Sequence, residues 1–491
     1  MERSPIEDLE AARASQLDEA RPEAVAAVHR AGRLTARERM AMLLDPDTEV
    51  PYGTIAALAP DGAWVAEAGG VDAVGSVDGL TVIASSTDFT DKGGGYGAGR
   101  LERLFALAHQ HRWPVVIFVD GGGSRARHPR SDQDHLELNG LFGRFMLFDG
   151  IAELSGWVPT VAIVSGPSFA GHASLAGFSD FVIATPGSSI GMGGPPMVEA
   201  ALGLSLSASE LAGVEMHERT GGIDLLVQNE PEAIEAARRY LAFTTNQSSG
   251  PASATAATID TLVPAEGDYD MHTVIEALLD EGGLFQLRPN FARSVITGFG
   301  RVNGRTVGVV ASQPLVDDGA IDEQAATKIG RFIELCDVYE NPILSLIDTP
   351  GCAVGGAVGG NVGGAVGDAG GEGGGSPVPG LNRWHVRPVM AHHHRTVPLF
   401  AVQIGRGGGL GPAIMGGLAS GRSVPALWLA WPTTDIRSAD GFAAVRSQQA
   451  FDDVVAPSST RQMISRLLTH LDGDTSSRSQ RTSKKHPVDT W

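Results

Sequence analysis

Residues 166–171, with the sequence GPSFAG, follow an apolar run and fit two chemical devices. They differ by one methyl group from the G-x-S-x-G turn that exposes a nucleophilic serine, which here would be Ser168. Such a serine needs a base within hydrogen-bond reach and a third group that orients the base. The alternative is a turn of bare backbone before a helix, in which Ala170 and Gly171 offer their N–H groups to a negatively charged oxygen.

A second turn of the same kind favours the backbone device. The segment GRGGGLGPA, residues 405–413, also follows an apolar run and precedes a small-residue helical stretch, but it contains no serine. An oxyanion hole of backbone N–H groups contributes about 3–4 kcal/mol to a reaction that forms an enolate. The sequence therefore predicts two such holes. Simple close packing of a helix on a strand remains the alternative for both turns.

Two other groups of chemically active residues fit less well. The consecutive histidines 392–394 cannot converge on an ion from one face of a helix or strand, so no metal site is predicted there. A hydratase that activates water at a thioester needs two acidic side chains at the site. Glu137 and Glu153 are close in sequence to the first turn, but they form no matching pair.

The elements that must position the two turns are themselves repeated. The segment AVGSVDGLTVIASS, from Ala73, is echoed by GFGRVNGRTVGVVASQ, from Gly298, and each predicts a hairpin with a tight turn. In both halves a helical stretch, a buried strand and a glycine turn follow, as PVVIFVDGGG and PILSLIDTPG. Strands that are apolar without alternation predict a largely parallel sheet covered on both faces. We therefore expect two homologous α/β domains.

Composition shifts suggest where these domains begin and end. We expect a helical N-terminal segment over residues 1–50, a first domain over 51–250 and a second over 251–470. A glycine-rich insertion over residues 354–376 interrupts the second domain and is predicted to be a flexible loop. Residues 471–491, rich in serine, arginine and lysine, are predicted to form a disordered tail.

The bulk properties limit the class of protein. The net charge of −20 argues against nucleic acid as a partner. No apolar run approaches the roughly 18 residues that a membrane span needs, and the acidic N-terminal sequence is unlike a signal peptide. The two cysteines, Cys336 and Cys352, are too few for a disulfide framework. We expect a cytoplasmic protein that does not bind membranes.

Several motifs, in order along the chain, resemble those of a known family. They include RLTARERMAMLLDPDTEV, STDFTDKGGGYGAGR, VDGGGSR, SIGMGGPPMVEA, LIDTPG, LAWPTTDI and FDDVVAPSSTR. From about Arg33 to about Leu467 the chain resembles the β (carboxyltransferase) subunit of biotin-dependent acyl-CoA carboxylases of the acetyl- and propionyl-CoA type. The resemblance implies two tandem crotonase-like α/β domains, each a mixed, largely parallel sheet flanked by helices. It also implies carboxyl transfer from carboxybiotin to an acyl-CoA.

The same resemblance implies the site residues and the partners. The acyl hole would be the N–H groups of Ala170 and Gly171, and the biotin hole those of Leu410 and Gly411. Binding of the two ligands would involve Lys92, Gly93, Gly94, Gly121, Gly122, Arg125 and Gly409. A solvated lysine and a structural salt bridge are the alternatives for Lys92 and Arg125. The biotin would be carried by a partner, a biotin carboxylase or carrier subunit, and the chain would form a homo-oligomer built from dimers, such as a hexamer.

Departures from the family pattern fall mainly on the biotin side. Residues 405–408 read Gly-Arg-Gly-Gly where the family commonly has Arg-Lys-x-Tyr, and the glycine-rich insertion follows Asp348 closely. On the acyl side Ala170 stands at a usual glycine position, although an alanine N–H donates equally well. An acyl-CoA decarboxylase, or a CoA-binding subunit that has lost carboxyl transfer, therefore remains as an alternative function.

Overall fold

The computed structural model describes most of the chain. The described residues are 4–53, 55–58, 64–66, 69–91, 94, 100–121, 147–245, 259–264, 267–352, 381–418, 421–434, 451–472 and 485–489. They divide into two compact units with a boundary after Leu241. This boundary lies inside the helix Glu230–Thr244, whereas the sequence suggested a boundary after residue 250, which lies outside the described part.

Strands and helices alternate through both units. The strands are β1 Val50–Tyr52, β2 Ile55–Leu58, β3 Trp64–Ala66, β4 Gly70–Val77, β5 Leu80–Thr87, β6 Val115–Phe118, β7 Thr160–Val164, β8 Pro167–Phe169, β9 Phe181–Ala184, β10 Ser189–Gly191, β11 Leu225–Leu226, β12 Phe285–Leu287, β13 Val295–Val302, β14 Arg305–Ser312, β15 Ile343–Thr349, β16 Leu399–Gly407, β17 Leu427–Ala430 and β18 Asp453–Val454. The helices are α1 Pro5–Ala14, α2 Pro22–Arg30, α3 Ala36–Leu43, α4 Arg100–His111, α5 Gly171–Phe178, α6 Pro195–Leu202, α7 Ala208–Ala212, α8 Val214–Thr220, α9 Glu230–Thr244, α10 Met271–Leu278, α11 Glu323–Val338, α12 Leu381–His394, α13 Gly411–Gly416 and α14 Pro457–Asp472. Residues 147–154 are also helical.

The first unit is built on a seven-stranded sheet in the order β1-β4-β5-β6-β7-β9-β11. The strands from β5 onward are parallel, while β1, β4 and β5 pair antiparallel. The hairpin between β4 and β5 turns at Asp78 and Gly79, whose positive φ angles of 50° and 78° suit a type I′ turn. β6, β7 and β9 are buried throughout, which explains their continuous apolar sequences.

The second unit repeats this plan with a sheet in the order β12-β13-β14-β15-β16-β17-β18. Its hairpin, β13 and β14, turns at Asn303 and Gly304 with φ of 55° and 78°, and the strands from β14 onward are parallel. The expectation of two repeated α/β domains with largely parallel sheets is confirmed.

The N-terminal segment is helical, as α1 to α3. α3 begins with a capping box, in which the Thr35 hydroxyl accepts from the Glu38 N–H and the Glu38 carboxylate accepts from the Thr35 N–H. At the other end of the chain, the prediction of a disordered tail is wrong for part of its length. Residues 471–472 belong to α14, and residues 485–489 bond to α11.

Candidate active site

The first candidate turn joins β7 to α5 and is fixed by the end of β6. Gly121 donates its N–H to the carbonyl of Pro167 at 2.6 Å, and Phe169 donates its N–H to the carbonyl of Gly121 at 3.0 Å. These bonds hold β8 against Gly121, three residues beyond the end of β6. The backbone of Ala170 and Gly171 therefore lies at the carboxyl end of the parallel strands, where open α/β sheets bind their ligands.

Of the two predicted N–H groups of this turn, one has no acceptor among the described residues, and we call such a group open. Ala170 has φ 54° and ψ −119°, a conformation that ordinarily requires glycine. Its N–H donates to the carbonyl of Gly191 at 3.0 Å and is therefore engaged within the chain. Among the described residues, no acceptor lies within hydrogen-bonding distance of the Gly171 N–H at the start of α5. The predicted pair reduces to Gly171 in this conformation.

The second turn joins β16 to α13 and behaves in the same way. Gly408 donates its N–H to the carbonyl of Thr349 at 3.0 Å, and Gly411 donates its N–H to the carbonyl of Gly408 at 3.0 Å. The N–H of Leu410 meets no acceptor in the part of the chain that the structure describes, and Leu410 is 58% exposed. Of the predicted pair, Leu410 is open and Gly411 is engaged.

The two open N–H groups occupy equivalent positions in the repeats. At the ends of the strands, Gly121 lies opposite Ser168 in the first unit, and Thr349 lies opposite Gly407 in the second. These two parallel pairs correspond to each other in the repeats. Three positions beyond Ser168 and Gly407 lie Gly171 and Leu410. The residues just before them, Ala170 and Gly409, both have positive φ, 54° and 49°. By strand register Gly171 therefore corresponds to Leu410, one residue before Gly411, with which the predicted pairs had aligned it.

Ser168 is not arranged to act as a nucleophile. Its side chain is 0% exposed, and within the described residues its hydroxyl has no hydrogen-bond partner. A serine nucleophile needs a bonded base to remove its proton. The local geometry therefore supports the backbone device over the serine device.

The imidazole of His172 fills the space beside Gly121. A methyl group added at Gly121 would lie 2.4 Å from Cε1 of His172. In the second turn the small and the large residue exchange places. There the larger side chain is Thr349, at the position of Gly121, and a methyl group added at Gly411 would lie 2.6 Å from its Cγ2. Burial is the largest influence on His172 and lowers its pKa, so the imidazole is neutral near pH 7.

A buried carboxylate holds the start of the first turn. Asp120 is 0% exposed, and its Oδ1 accepts hydrogen bonds from the N–H groups of Ser165 and Gly166, each at 3.0 Å. Its Oδ2 pairs with the guanidinium of Arg39, which also bonds Glu230. Burial acts to raise the pKa of Asp120, but the charges of Arg39 and Arg33, together with the hydrogen bonds to the carboxylate, lower the pKa below its usual value. The carboxylate therefore stays ionised.

Asp348 has the equivalent position and role at the second turn. Its Oδ1 accepts hydrogen bonds from the N–H and Nε of Arg406 at 2.9 and 3.0 Å, and its Oδ2 accepts one from the hydroxyl of Tyr269 at 3.0 Å. Burial, together with the charge of Asp348, raises the pKa of Tyr269, so the phenol remains a donor. A methyl group added at Gly405 would lie 2.4 Å from Oδ2 of Asp348, which explains the glycine there.

The predicted ligand-binding glycines are partly brought together. Gly94 has φ 78°, and a methyl group added to it would lie 2.7 Å from the carbonyl oxygen of Asp120. It therefore lies at the same strand edge as Gly121. Gly409 directly precedes Leu410 in the second turn. The other four predicted residues, Lys92, Gly93, Gly122 and Arg125, lie outside the described residues, as does the glycine-rich insertion.

The histidine run is structural where it can be seen. His392 is fully buried and its Nε2 bonds the carbonyl of Ile414 at 3.0 Å, while burial lowers its pKa to about 3. The rings of His393 and His394 meet edge to face. Over the described ranges, no group of three or more histidine, cysteine, aspartate or glutamate side chains could hold a metal ion.

A family model for the carboxyl transferase domain matches residues 27–360. The chain belongs to the carboxyl transferase domain family. It is 32% identical over 371 residues to the propionyl-CoA carboxylase beta chain of Roseobacter denitrificans, covering 71% of both chains. It is 29% identical over 459 residues to a biotin-dependent acetyl-/propionyl-coenzyme A carboxylase beta5 subunit of Mycobacterium tuberculosis, covering 88% of this chain and 78% of the relative.

The fold of this carboxyltransferase matches a solved relative over nearly its whole length. The transcarboxylase 12S subunit, in a structure of its hexamer with methylmalonyl-coenzyme A bound, superimposes with a TM-score of 0.81 at 26% identity and 99% coverage of both chains. The predicted family resemblance and the tandem crotonase-like fold are confirmed. Among the described residues of this carboxyltransferase, no helix is long and apolar enough to cross a bilayer.

Sequence reasoning missed the buried carboxylates of this carboxyltransferase and their partners. Asp120 and Asp348 each follow a mostly apolar run, in VVIFVD and ILSLID. An ionisable residue at the same place in both repeats is the signal that could have singled them out. Their partners Arg39 and Tyr269 are distant in sequence, and no local pattern indicated them.

Proposed function

We propose that the chain transfers a carboxyl group from carboxybiotin, held on a separate carrier protein, to the α carbon of an acyl-CoA. The observation that carries the proposal is the pair of open backbone N–H groups, Gly171 and Leu410, at equivalent positions of two repeated turns. A carboxyl transfer between two carbonyl compounds needs one such donor at each compound. Membership of the carboxyl transferase family supports this chemistry.

The role of Gly171 follows from where charge develops. In the proposed transfer the N–CO₂ bond of carboxybiotin breaks and the biotin ureido group accepts the α-proton of the acyl-CoA, so the thioester oxygen becomes negatively charged before the α carbon bonds to CO₂. An N–H at the start of α5 donates more strongly to that oxygen than to the neutral carbonyl, so it lowers the barrier rather than merely binding substrate. The positive end of the helix adds to the effect.

The role of Leu410 is the matching one for the ureido oxygen of biotin. Carboxybiotin supplies the carboxyl unit when bound. Gly409 and Leu410 are exposed among the described residues, which suits a group delivered by another protein. Ser168 supplies no nucleophile, so the proposal uses no covalent enzyme intermediate.

The partners in this proposal are an acyl-CoA, a biotin carrier or carboxylase subunit, and further copies of the chain. The relatives named above act on acetyl- and propionyl-CoA or assemble as a hexamer, and both properties are proposed here for this chain. A cytoplasmic location, expected from the sequence, accords with metabolism of acyl-CoA.

The test is a transfer assay with the purified full-length chain. Carboxybiotin, free or on a carrier, is supplied with acetyl-CoA, propionyl-CoA and longer acyl-CoAs, and carboxylated product is measured. We expect transfer to at least one acyl-CoA. Binding of acyl-CoA without transfer would instead support the CoA-binding alternative, and release of CO₂ from a carboxylated acyl-CoA without biotin would support the decarboxylase.

A further inference from the structure

The two turns share an interaction with no assigned role in the reaction. In each repeat a buried aspartate lies at the carboxyl end of the strand beside the turn, two residues beyond β6 in the first unit and inside β15 in the second. Each accepts hydrogen bonds from the backbone at the start of its turn. Asp120 binds the N–H groups of Ser165 and Gly166, and Asp348 binds that of Arg406. These contacts lie only a few residues before the open donors.

The contacts fix each turn at more than one point. In the first unit the carboxylate binds the residues where β7 ends, and the adjacent Gly121 bonds both Pro167 and Phe169. In the second unit the carboxylate binds Arg406, and the adjacent Thr349 accepts from Gly408. The chain between these points and the open N–H is too short to move independently.

We propose that Asp120 and Asp348 are positioning residues, each of which sets the orientation of the open N–H in its own turn. The inference rests on the proposed function. Each aspartate acts on one half of the reaction: Asp120 on the acyl donor Gly171, and Asp348 on the biotin donor Leu410. Neither carboxylate contacts a reacting atom in this role.

The charge of each aspartate matters as well as its shape. An asparagine at position 120 has two possible orientations. Its N–H₂ group would face either the guanidinium of Arg39 or the two backbone N–H donors, and both arrangements place donors against donors and are repulsive. At position 348 the amide is accommodated more easily, because the Tyr269 hydroxyl can accept as well as donate. The change at 120 is therefore expected to be the larger.

The first measurement uses the substitutions Asp120→Asn and Asp348→Asn in the full chain and follows amide hydrogen exchange. Asp120→Asn is expected to speed exchange in peptides covering residues 166–178 and not in those covering 406–416, and Asp348→Asn to do the reverse. Asp280→Asn is the matched control, since Asp280 is a buried carboxylate that binds the backbone of a hairpin away from both turns. It should leave both turns unchanged.

The second measurement separates the two halves of the reaction. Asp120→Asn should slow transfer to acyl-CoA by about tenfold or more, because a misplacement of about 1 Å can cost roughly 100-fold. It should leave the dissociation constant for acyl-CoA, and carboxybiotin decarboxylation without acyl-CoA, within about twofold. Asp348→Asn should slow that decarboxylation by about threefold or more and also leave the acyl-CoA dissociation constant unchanged.

The outcomes are distinct. Equal loss of both partial reactions in either variant, or faster exchange in both turns together, would overturn the positioning role and indicate general loosening. Turn-selective exchange combined with no transfer by the unsubstituted chain would overturn the proposed function instead, while the positioning contacts would stand.

Discussion

Ala170 has a backbone conformation that a residue with a side chain rarely adopts. Its φ of 54° with ψ of −119° is strained for any residue with a side chain, yet the bond from its N–H to Gly191 holds it there. The equivalent residue in the second repeat is Gly409, which adopts its positive φ without penalty. The same backbone shape is therefore built once with strain and once without it.

We expect Ala170→Gly to stabilise the chain by about 1 kcal/mol, because it removes the strain of the side chain. Gly409→Ala should destabilise it by a similar amount through backbone strain alone, since a methyl group there meets nothing within 4 Å. Chemical denaturation of both variants is the measurement. Two changes of the same sign would contradict the strain argument.

At this scale the sequence indicated the turns and their glycines but not which donor is open. The N–H of Ala170 is engaged by Gly191, and that contact depends on the pairing of β8 with β10, a small parallel sheet that no local pattern predicted. Similarly, Arg39, which pairs with Asp120, comes from α3, and Glu230, which binds the same guanidinium, comes from the start of α9. Contacts between segments so far apart in the chain are set by the fold.

Among the elements, the segment 485–489 is the clearest departure from expectation. Lys485 donates to the carbonyl of Asp337 at 2.7 Å, His486 lies 3.1 Å from the Asp337 carboxylate, and Val488 is buried. The composition of the tail suggested disorder. A few specific contacts with the end of α11 nevertheless offset the cost of ordering a short segment.

The Asp337 carboxylate makes this contact dependent on pH. Burial acts to raise its pKa, but the bond to His486 and the charge of Lys485 lower the pKa to about 2. Since an unfolded aspartate titrates near 3.9, the folded chain gains about 2 kcal/mol above that pH, and loses it as the pH falls toward 2.

His486→Ala tests the same contact from the other side. Burial acts to lower the pKa of His486, but Asp337 raises it overall, so the histidine stabilises the fold below about pH 6.5 and less as the pH rises through its folded pKa. The loss of stability in the variant should be larger at pH 5.5 than at pH 9.5. Denaturation at both pH values measures it, with the exposed His470→Ala as control. An equal loss at both would exclude the ion pair.

Over the whole molecule, the duplication extends to contacts far from the turns. Asp45 binds the N–H groups of the first hairpin turn at 3.1 and 2.8 Å, and Arg238 lies 3.8 Å from it. Asp280 binds those of the second hairpin turn at 2.8 and 2.6 Å, and Arg461 lies 2.6 Å from it. The sequence predicted the repeated hairpins and strands. We call each set of an aspartate, a hairpin turn and an arginine a clamp. The repeated clamp was not predicted, because it joins three separate segments of the chain.

The two clamps differ in burial, and their strengths should differ accordingly. The Asp280 side chain is 2% exposed and that of Asp45 is 26% exposed. We expect Asp280→Ala to lower the free energy of unfolding by about 3 kcal/mol and Asp45→Ala by about 1 kcal/mol, since buried charged hydrogen bonds contribute more than exposed ones. Urea denaturation of the two variants decides this. Equal effects would mean that burial does not govern the clamp.

The two turns are packed by different pairs of residues, Gly121 with His172 and Thr349 with Gly411. This difference restricts how the repeats can be exchanged. A threonine at position 121 would collide with His172, and a glycine at position 172 would leave a void, so neither single step toward the second repeat is neutral. Only the simultaneous exchange preserves the packing. A chimaera assembled from the two halves must therefore carry both members of each pair across together.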